Sequence, residues 1–353
     1  MNLKELNLSV IQATERRIVE LFGKSKYVSL SFSGGKDSIC LADMVVRTMQ
    51  KYNIDFSRLM VIFFDEEAIY PDVERITMTW RRKFIDLGAT FNWYCIAIKH
   101  FNCCNQLTSD ESFICWELGK EDLWIRRPPK FAIRHHDKLK HGMSYQKFAD
   151  VIFKGMSNMI GCRAFESSQR ISNISHIKHE GYKTFPIYDW TDADVWLYLK
   201  KYNLEFPETY IYLYKVGVSK RQLRLSQFFS IDTIKVLPRI MEFYPDLYER
   251  IIRREPNADL AMLYWDTDMF RSNRQNTEFQ KDANYRKLLV DTMKKAVLNP
   301  SSYPGYRQAI RLYSMITSEH SDKTYRMIYQ ILIAGDPKSR TTRQCLAQLK
   351  QFR

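Results

Sequence analysis

No run of about 18 apolar residues occurs in this 353-residue chain, so no transmembrane helix is expected. The opening Met1-Asn2-Leu3-Lys4-Glu5 lacks the apolar core of a signal peptide. Cysteine is sparse and scattered: seven residues, an odd number, with no Cys-x2-Cys and no His-x3-His pair. That argues against a disulfide framework and against structural zinc, and it suits a reducing cytoplasm. Internal repeats, low-complexity tracts and familiar DNA-reading motifs are also missing. What remains is an ordinary globular composition, 45% hydrophobic, in a chain long enough for two or three modest domains.

Charge is present but uneven. The formal net charge is +14, and from Val216 onward 24 basic residues face 14 acidic ones. A basic C-terminal part suits DNA, RNA or an acidic protein face, and is equally compatible with a solvated basic surface.

One stretch organises the rest. Tyr27 to Phe32 alternates and is rich in strand formers, and Ile39 to Val46 has the apolar spacing of a helix packed on a sheet. Between them lies Ser33-Gly34-Gly35-Lys36-Asp37-Ser38. Two glycines allow positive φ and close approach of the backbone to a ligand. Successive N–H groups at a helix start attract an anion, and Lys36 adds a full charge. Ser33 and Ser38 add donors. Asp37 is a candidate helix cap or Mg²⁺ ligand. The bland alternative is a Gly-Gly turn with a capping Asp. The run is not the Gly-x4-Gly-Lys-Ser/Thr phosphate loop.

Further along, residues 3–22 suggest an amphipathic helix. Leu59 to Phe64 reads as a buried strand that stops at Asp65-Glu66-Glu67, followed by a helix over Tyr70–Leu87 and a strand over Phe91–Ile98. Alternating strands and helices predict an α/β fold, a parallel twisted sheet with helices on both faces. Ligands of such sheets sit at the carboxyl ends of the strands, where the Ser33–Ser38 loop and Asp65 both lie. Residues 99–147 read as an irregular insertion over that edge, a candidate lid. Gly161-Cys162-Arg163-Ala164-Phe165-Glu166-Ser167-Ser168-Gln169-Arg170 reads as a strand end and a polar helix start. Its Arg163 and Arg170 suit an oxyanion, with Glu166 holding an arginine or a cation; a surface ion-pair cluster is the alternative. Thr191 or Asp192 should cap a helix to about Tyr202.

Three blocks together resemble the phosphoadenosine phosphosulfate (PAPS) reductase family: Ser33–Ser38, Gly161-x-Arg163-x-x-Glu166-Ser167-x-x-Arg170, and Pro186-x-x-Asp189-Trp190-Thr191-x-x-Asp194-Val195-Trp196. The loop itself is similar to the PP-loop of the ATP pyrophosphatases. The layout looks closest to the branch similar to immunoglobulin-binding regulator A proteins. The resemblance implies the adenine nucleotide alpha hydrolase-like PP-loop fold over residues 1–215, with the insertion at about 99–147. By its own apolar spacing the basic region over 216–353 reads as mostly helical, with helices over Leu237–Ile252, Asn284–Leu298 and Tyr306–Ala334. The resemblance implies ATP and Mg²⁺ as ligands and attack at the α-phosphate with pyrophosphate release, which is adenylylation or ATP pyrophosphatase chemistry. It also implies a ParB-like partner in transcription regulation or a phage-related role.

On that resemblance Lys36, Arg163 and Arg170 are the catalytic candidates. Ser33, Gly34, Gly35, Lys36, Asp37, Ser38, Asp65, Gly161, Arg163 and Glu166 are the nucleotide-binding candidates. The chain departs from the reductases in two places. Cys345 lies in Arg343-Gln344-Cys345-Leu346, not in the Glu-Cys-Gly-x-His-like motif that attacks sulfur. Cys103-Cys104 is not followed by the Cys-x-x-Cys that an iron–sulfur cluster needs, so no cluster is expected. The competing readings are a nucleotide-sensing regulatory module without turnover, binding protein or DNA, and a sulfonucleotide reductase. The acceptor of the adenylyl group is not written in the sequence.

Overall fold

The computed structural model describes residues 8–105, 112–164, 183–220, 223–234, 236–264, 284–316, 321–336 and 340–351. It divides into two compact units, residues 1–263 and 264–353. The expected boundary after residue 215 falls inside the first unit, because the 216–263 stretch packs on the sheet. Phe228 lies against Tyr70 and Phe229 against Phe113, each pair with ring centroids 4.6 Å apart.

The first unit is built on a parallel sheet in the order β3-β2-β1-β7-β8. Its strands are β1 (Val28–Ser31), β2 (Leu59–Phe64), β3 (Thr90–Tyr94), β7 (Ser157–Ile160) and β8 (Lys183–Thr184). Helix α1 (Val10–Lys24) precedes β1, α2 (Lys36–Lys51) joins β1 to β2, and α3 (Pro71–Asp86) joins β2 to β3. The period of two along a strand sorts the aromatic residues to opposite faces. Phe63 meets Trp93 at 4.5 Å, and Phe84 of α3 meets Phe91 at 6.3 Å, on one face. Phe64 and Tyr94 meet Phe148 of α4 (Tyr145–Ile152) on the other. Helices therefore cover both faces, as the alternating sequence predicts. Each fully buried aromatic side chain contributes about 1.5–3 kcal/mol.

The described residues of the 99–147 segment are mostly loop and turn, with a few short regular pieces between them. The segment carries a second small sheet in the order β5-β4-β6, formed by β4 (Ile98–Phe101), β5 (Ser112–Ile114) and β6 (Met143–Ser144). Glu67 ties this segment down. It is fully buried at φ +69° and accepts from the backbone N–H groups of Trp116 (2.6 Å) and Ile125 (3.1 Å) and from Arg254 Nε (3.0 Å). Burial raises its pKa, while Arg254 and those two N–H groups work against the rise.

The third sequence block also has structural duties. Asp189 grips Arg17 through both oxygens, each at 2.7 Å, and the Trp190 indole N–H donates to Thr14 Oγ1 at 2.9 Å. Both bonds fix α1 to the sheet domain. Thr191 and Asp194 form a reciprocal cap on α5 (Asp192–Lys201). The short helix α6 (Thr209–Lys215) follows.

The predicted Leu237–Ile252 helix is broken. Its first part spans Leu237–Ile240, and a new helix starts at Pro245 and runs to Arg254, since proline is accepted in a first turn but not in a helix interior. In the second unit, helices Tyr285–Leu298, Tyr306–Tyr313, Asp322–Ala334 and Arg340–Gln351 enclose a core that includes Leu289, Leu312, Ile328, Leu332 and Cys345. The single helix expected over Tyr306–Ala334 is two. Arg340 and Arg343 belong to the last helix.

Gly305 has a packing reason. A Cβ there would lie 1.6 Å from the Ile331 carbonyl oxygen. Gly305→Ala should therefore destabilise the second unit by about 1–3 kcal/mol or more. Hydrogen exchange should show lost protection in its helices while the amides of β1 and β2 stay protected. Equal protection in both units would contradict this packing.

Candidate functional site

Strand connections leave β1 toward β2 and β3, while β7 and β8 lie on its other side. The gap between the ends of β1 and β7 is therefore a topological switch point, the place where parallel sheets accept ligands. A cavity of about 390 Å³ opens there, within the usual range for a small-molecule site. Its lining includes Ser33, Gly35, Lys36, Asp37 and Ser38 from the first loop, Gly161 from the end of β7, and Arg224 to Phe228.

The loop is built as its residue types require. Gly34 has φ +71°, and a Cβ on it would approach Thr77 Oγ1 to 2.8 Å and Val73 Cγ1 to 2.9 Å. Gly35 is the N-cap of α2, so the first N–H groups of that helix face the loop. Ser38 Oγ donates to the Gly35 carbonyl at 2.9 Å and lies 3.1 Å from Ser33 Oγ. Gly161 allows β7 to come close: a Cβ there would lie 3.1 Å from the Ser38 backbone nitrogen.

Lys36 is only 2% exposed. Its Nζ donates to Asp37 Oδ2 at 3.0 Å and to the Leu223 carbonyl at 3.3 Å. The other oxygen of Asp37 is held by Arg163 Nε, and the Arg163 fork also grips Asp192 at 2.8 Å. Arg163 is buried and does not line the cavity; it fixes Asp37 and the start of α5. Each Asp37 oxygen accepts from one cation, which leaves a further lone pair on each for the Mg²⁺ that the resemblance implies. Among the described residues, no cluster of three or more His, Cys, Asp or Glu is placed to hold a metal.

Asp65 lies away from the cavity. It is fully buried and accepts from Trp93 Nε1 at 2.7 Å, from Arg126, and from the Glu67 N–H at 3.0 Å. Strand alternation puts the two acids on opposite sides: Asp65 falls on the side of Phe63 and Trp93, and Glu66 falls on the side of Phe64. Glu66, not Asp65, lines the cavity. Glu166 and Arg170 lie outside the described residues. The residues the sequence reading missed are Glu66, Tyr210 and the Leu223–Phe228 wall. Period-two alternation separates Glu66 from Asp65 but does not say which of them faces the cavity. Nothing in the local pattern marks Tyr210.

Desolvation at the cavity wall, where the Glu66 side chain is still 32% exposed, with Asp65 adding a like charge, raises its pKa to about 7. Beside it, His100 is driven by burial down to about 4 and is neutral at pH 7, with Nδ1 4.0 Å from Glu66. The folded state therefore holds the Glu66 proton more tightly than the unfolded chain does. Between about pH 4.5 and 7 the native state binds more protons, so this group's contribution to stability is present at low pH and is lost as pH rises through 7. An anionic ligand should also bind more tightly below pH 7 than above it. Glu66→Gln should flatten both dependences, as read by denaturant unfolding and ligand titration from pH 5 to 8.

Cys345 is a poor nucleophile. It is buried in the helical core, and burial pushes its thiol up to about 11. No described helix is long and apolar enough to cross a membrane.

Three comparisons with known proteins bear on this arrangement. Over 336 residues the chain is 24% identical to protein YbdN of Escherichia coli strain K12, covering 87% of this chain and 80% of that protein. Similar solved structures include the FMN adenylyltransferase of Candida glabrata, with TM-score 0.35, 17% identity, and 57% of this chain on 58% of that one. Others are the U34-tRNA thiolase NcsA of Methanococcus maripaludis with its [4Fe-4S] cluster (TM-score 0.32, 12% identity, 71% on 79%) and the NH3-dependent NAD synthetase of Campylobacter jejuni (TM-score 0.30, 14% identity, 71% on 96%). Likeness at that level carries no functional argument. The phosphoadenosine phosphosulfate reductase domain matches residues 135–251, which include the second and third sequence blocks and exclude the Ser33–Ser38 loop.

Proposed function

We propose that the chain binds ATP in the cavity at the end of β1 and catalyses attack at its α-phosphorus, releasing pyrophosphate. The observation that carries this reading is Lys36, a buried ammonium in a glycine loop at the N-terminus of α2, facing a cavity at the sheet's switch point. The N–H groups of the loop and the helix start receive the β- and γ-phosphates. Lys36 offsets the charge that develops on the leaving pyrophosphate. Ser33 and Ser38 orient the same oxygens. Arg163 acts on the loop through Asp37 rather than on the substrate. Burial holds the Cys345 thiol protonated, which supports adenylyl transfer over sulfur reduction.

Mg²⁺ is implied by the family resemblance, and no step here depends on it. A ParB-like partner, a regulatory or phage-related setting, and DNA or RNA contact through the basic C-terminal part rest on the resemblance and on charge. Nucleic-acid binding by that part should fall steeply with salt. The test of the reaction is incubation with ATP labelled at the α-phosphate, alone and with candidate acceptors. Appearance of labelled AMP or an adenylylated product is expected, and absence of both under all conditions overturns the reaction.

One observation favours a second reading, a nucleotide sensor without turnover: Lys36 Nζ is engaged by the chain's own Leu223 carbonyl. In that case ATP binds and the label stays in ATP.

A further inference from the structure

We propose that Tyr210 is a ligand of the nucleotide's phosphate chain, donating a hydrogen bond beside the first turn of α2. The proposal rests on the ATP reading above and adds to it a residue that lies outside the loop motif.

Tyr210 stands at the start of α6, and its backbone is anchored from the preceding residue. Thr209 N donates to Asp72 Oδ2 at 2.8 Å, and Thr209 Oγ1 bonds the same carboxylate at 2.8 Å. The ring meets Trp196 edge-on at 5.8 Å and is 3% exposed. This rigid side chain puts its hydroxyl on the loop: Lys36 N donates to Tyr210 Oη at 3.1 Å. That N–H is one of the group at a helix start with no intrahelical acceptor. Gly35 leaves room for the hydroxyl, since a Cβ on Gly35 would come within 3.1 Å of it.

The hydroxyl therefore accepts one bond, and its own proton remains to be placed. Among the described residues no group accepts that proton, and Tyr210 lines the cavity. A buried donor without an acceptor is costly, and an anion oxygen in the cavity would satisfy it. Burial, with Asp37 and Asp72 nearby, pushes the phenol pKa well above its usual value, so the proton is retained throughout the working range. The bond from Lys36 N polarises the hydroxyl and strengthens it as a donor. Lys36 Nζ lies 5.4 Å from the ring centroid, so the same side chain also braces the loop lysine.

The test is Tyr210→Phe, compared with the unaltered full chain in equilibrium binding to inorganic pyrophosphate, ATP and adenosine. Loss of a hydrogen bond to a charged group predicts weakening of about 10- to 100-fold for pyrophosphate and for ATP. Adenosine affinity should stay within about twofold, and the ligand-free variant should still melt cooperatively, at a somewhat lower temperature because the Lys36 N–H loses its acceptor. Three results would overturn the proposal: unchanged pyrophosphate affinity, tighter pyrophosphate binding because the hydroxyl competes with phosphate, or an equal loss on adenosine. If the unaltered chain binds neither ATP nor pyrophosphate, the ATP reading falls and the Tyr210 proposal falls with it. If the unaltered chain binds both and the variant binds them equally well, Tyr210 alone is excluded.

Discussion

Lys36→Met should reduce pyrophosphate-releasing turnover by about 10²- to 10³-fold, the effect of deleting one donor aimed at developing charge. Methionine keeps most of the side-chain volume, so the wall of the cavity stays filled. Asp37 keeps Arg163 as a partner, so no carboxylate is left alone in the loop. The loss should fall mainly on kcat, because the leaving pyrophosphate gains negative charge on its bridging oxygen as the bond to the α-phosphorus breaks. Single-turnover release of labelled AMP would measure it. A rate within threefold of the unaltered chain, in a protein with the same melting temperature, would remove Lys36 from the chemistry.

A chain ended after residue 215 should fail to fold, while one ended after Leu263 should keep the cavity. The shorter chain loses Arg254, which pairs with the fully buried Glu67 at 3.0 Å. Breaking a buried pair by removing one partner costs about 3–5 kcal/mol. It also loses Phe228 and Phe229, each at most 2% exposed and each contributing about 1.5–3 kcal/mol. The bonds from Cys103 N to the Phe229 carbonyl and from Asn102 to Glu255 go as well. Together these losses rival the whole stability of an ordinary domain, about 5–15 kcal/mol. Near-UV circular dichroism and ATP binding of the two truncations would decide the matter. A folded, ATP-binding 1–215 fragment would restore the boundary expected from the sequence.

The parts legible in the sequence are those whose signal is local. Leu59–Phe64 forms β2 with the expected bounds because a continuous apolar run ending in acids has no other stable use here. Thr191 caps α5 because its hydroxyl and the Asp194 carboxylate answer each other three residues apart. The loop was readable because strand, glycines and helix follow one another. The small sheet of the 99–147 segment was not, since β4, β5 and β6 are short and pair across irregular stretches with little periodicity. Arg163 has the residue type of an oxyanion ligand, but its burial against Asp37 and Asp192 depends on elements distant in sequence. Asp65 lies off the cavity for a reason its own neighbourhood in the sequence does not carry: its carboxylate is taken by Trp93 Nε1 and Arg126, both distant along the chain.

The geometry that closes the cavity also sets when it can exist. The Leu223 carbonyl reaches Lys36 across 187 positions, and Arg254 reaches Glu67 across the same span. During synthesis the loop therefore leaves the ribosome long before its far wall, by roughly 10 to 40 s at ordinary elongation rates. Through that interval the strand ends and their aromatic side chains lack Phe228 and Phe229 as a cover. The nascent chain must wait, exposed to chaperones, until the segment through Arg254 is free to dock. On the ATP reading proposed above, nucleotide binding would then require that translation has passed Arg254.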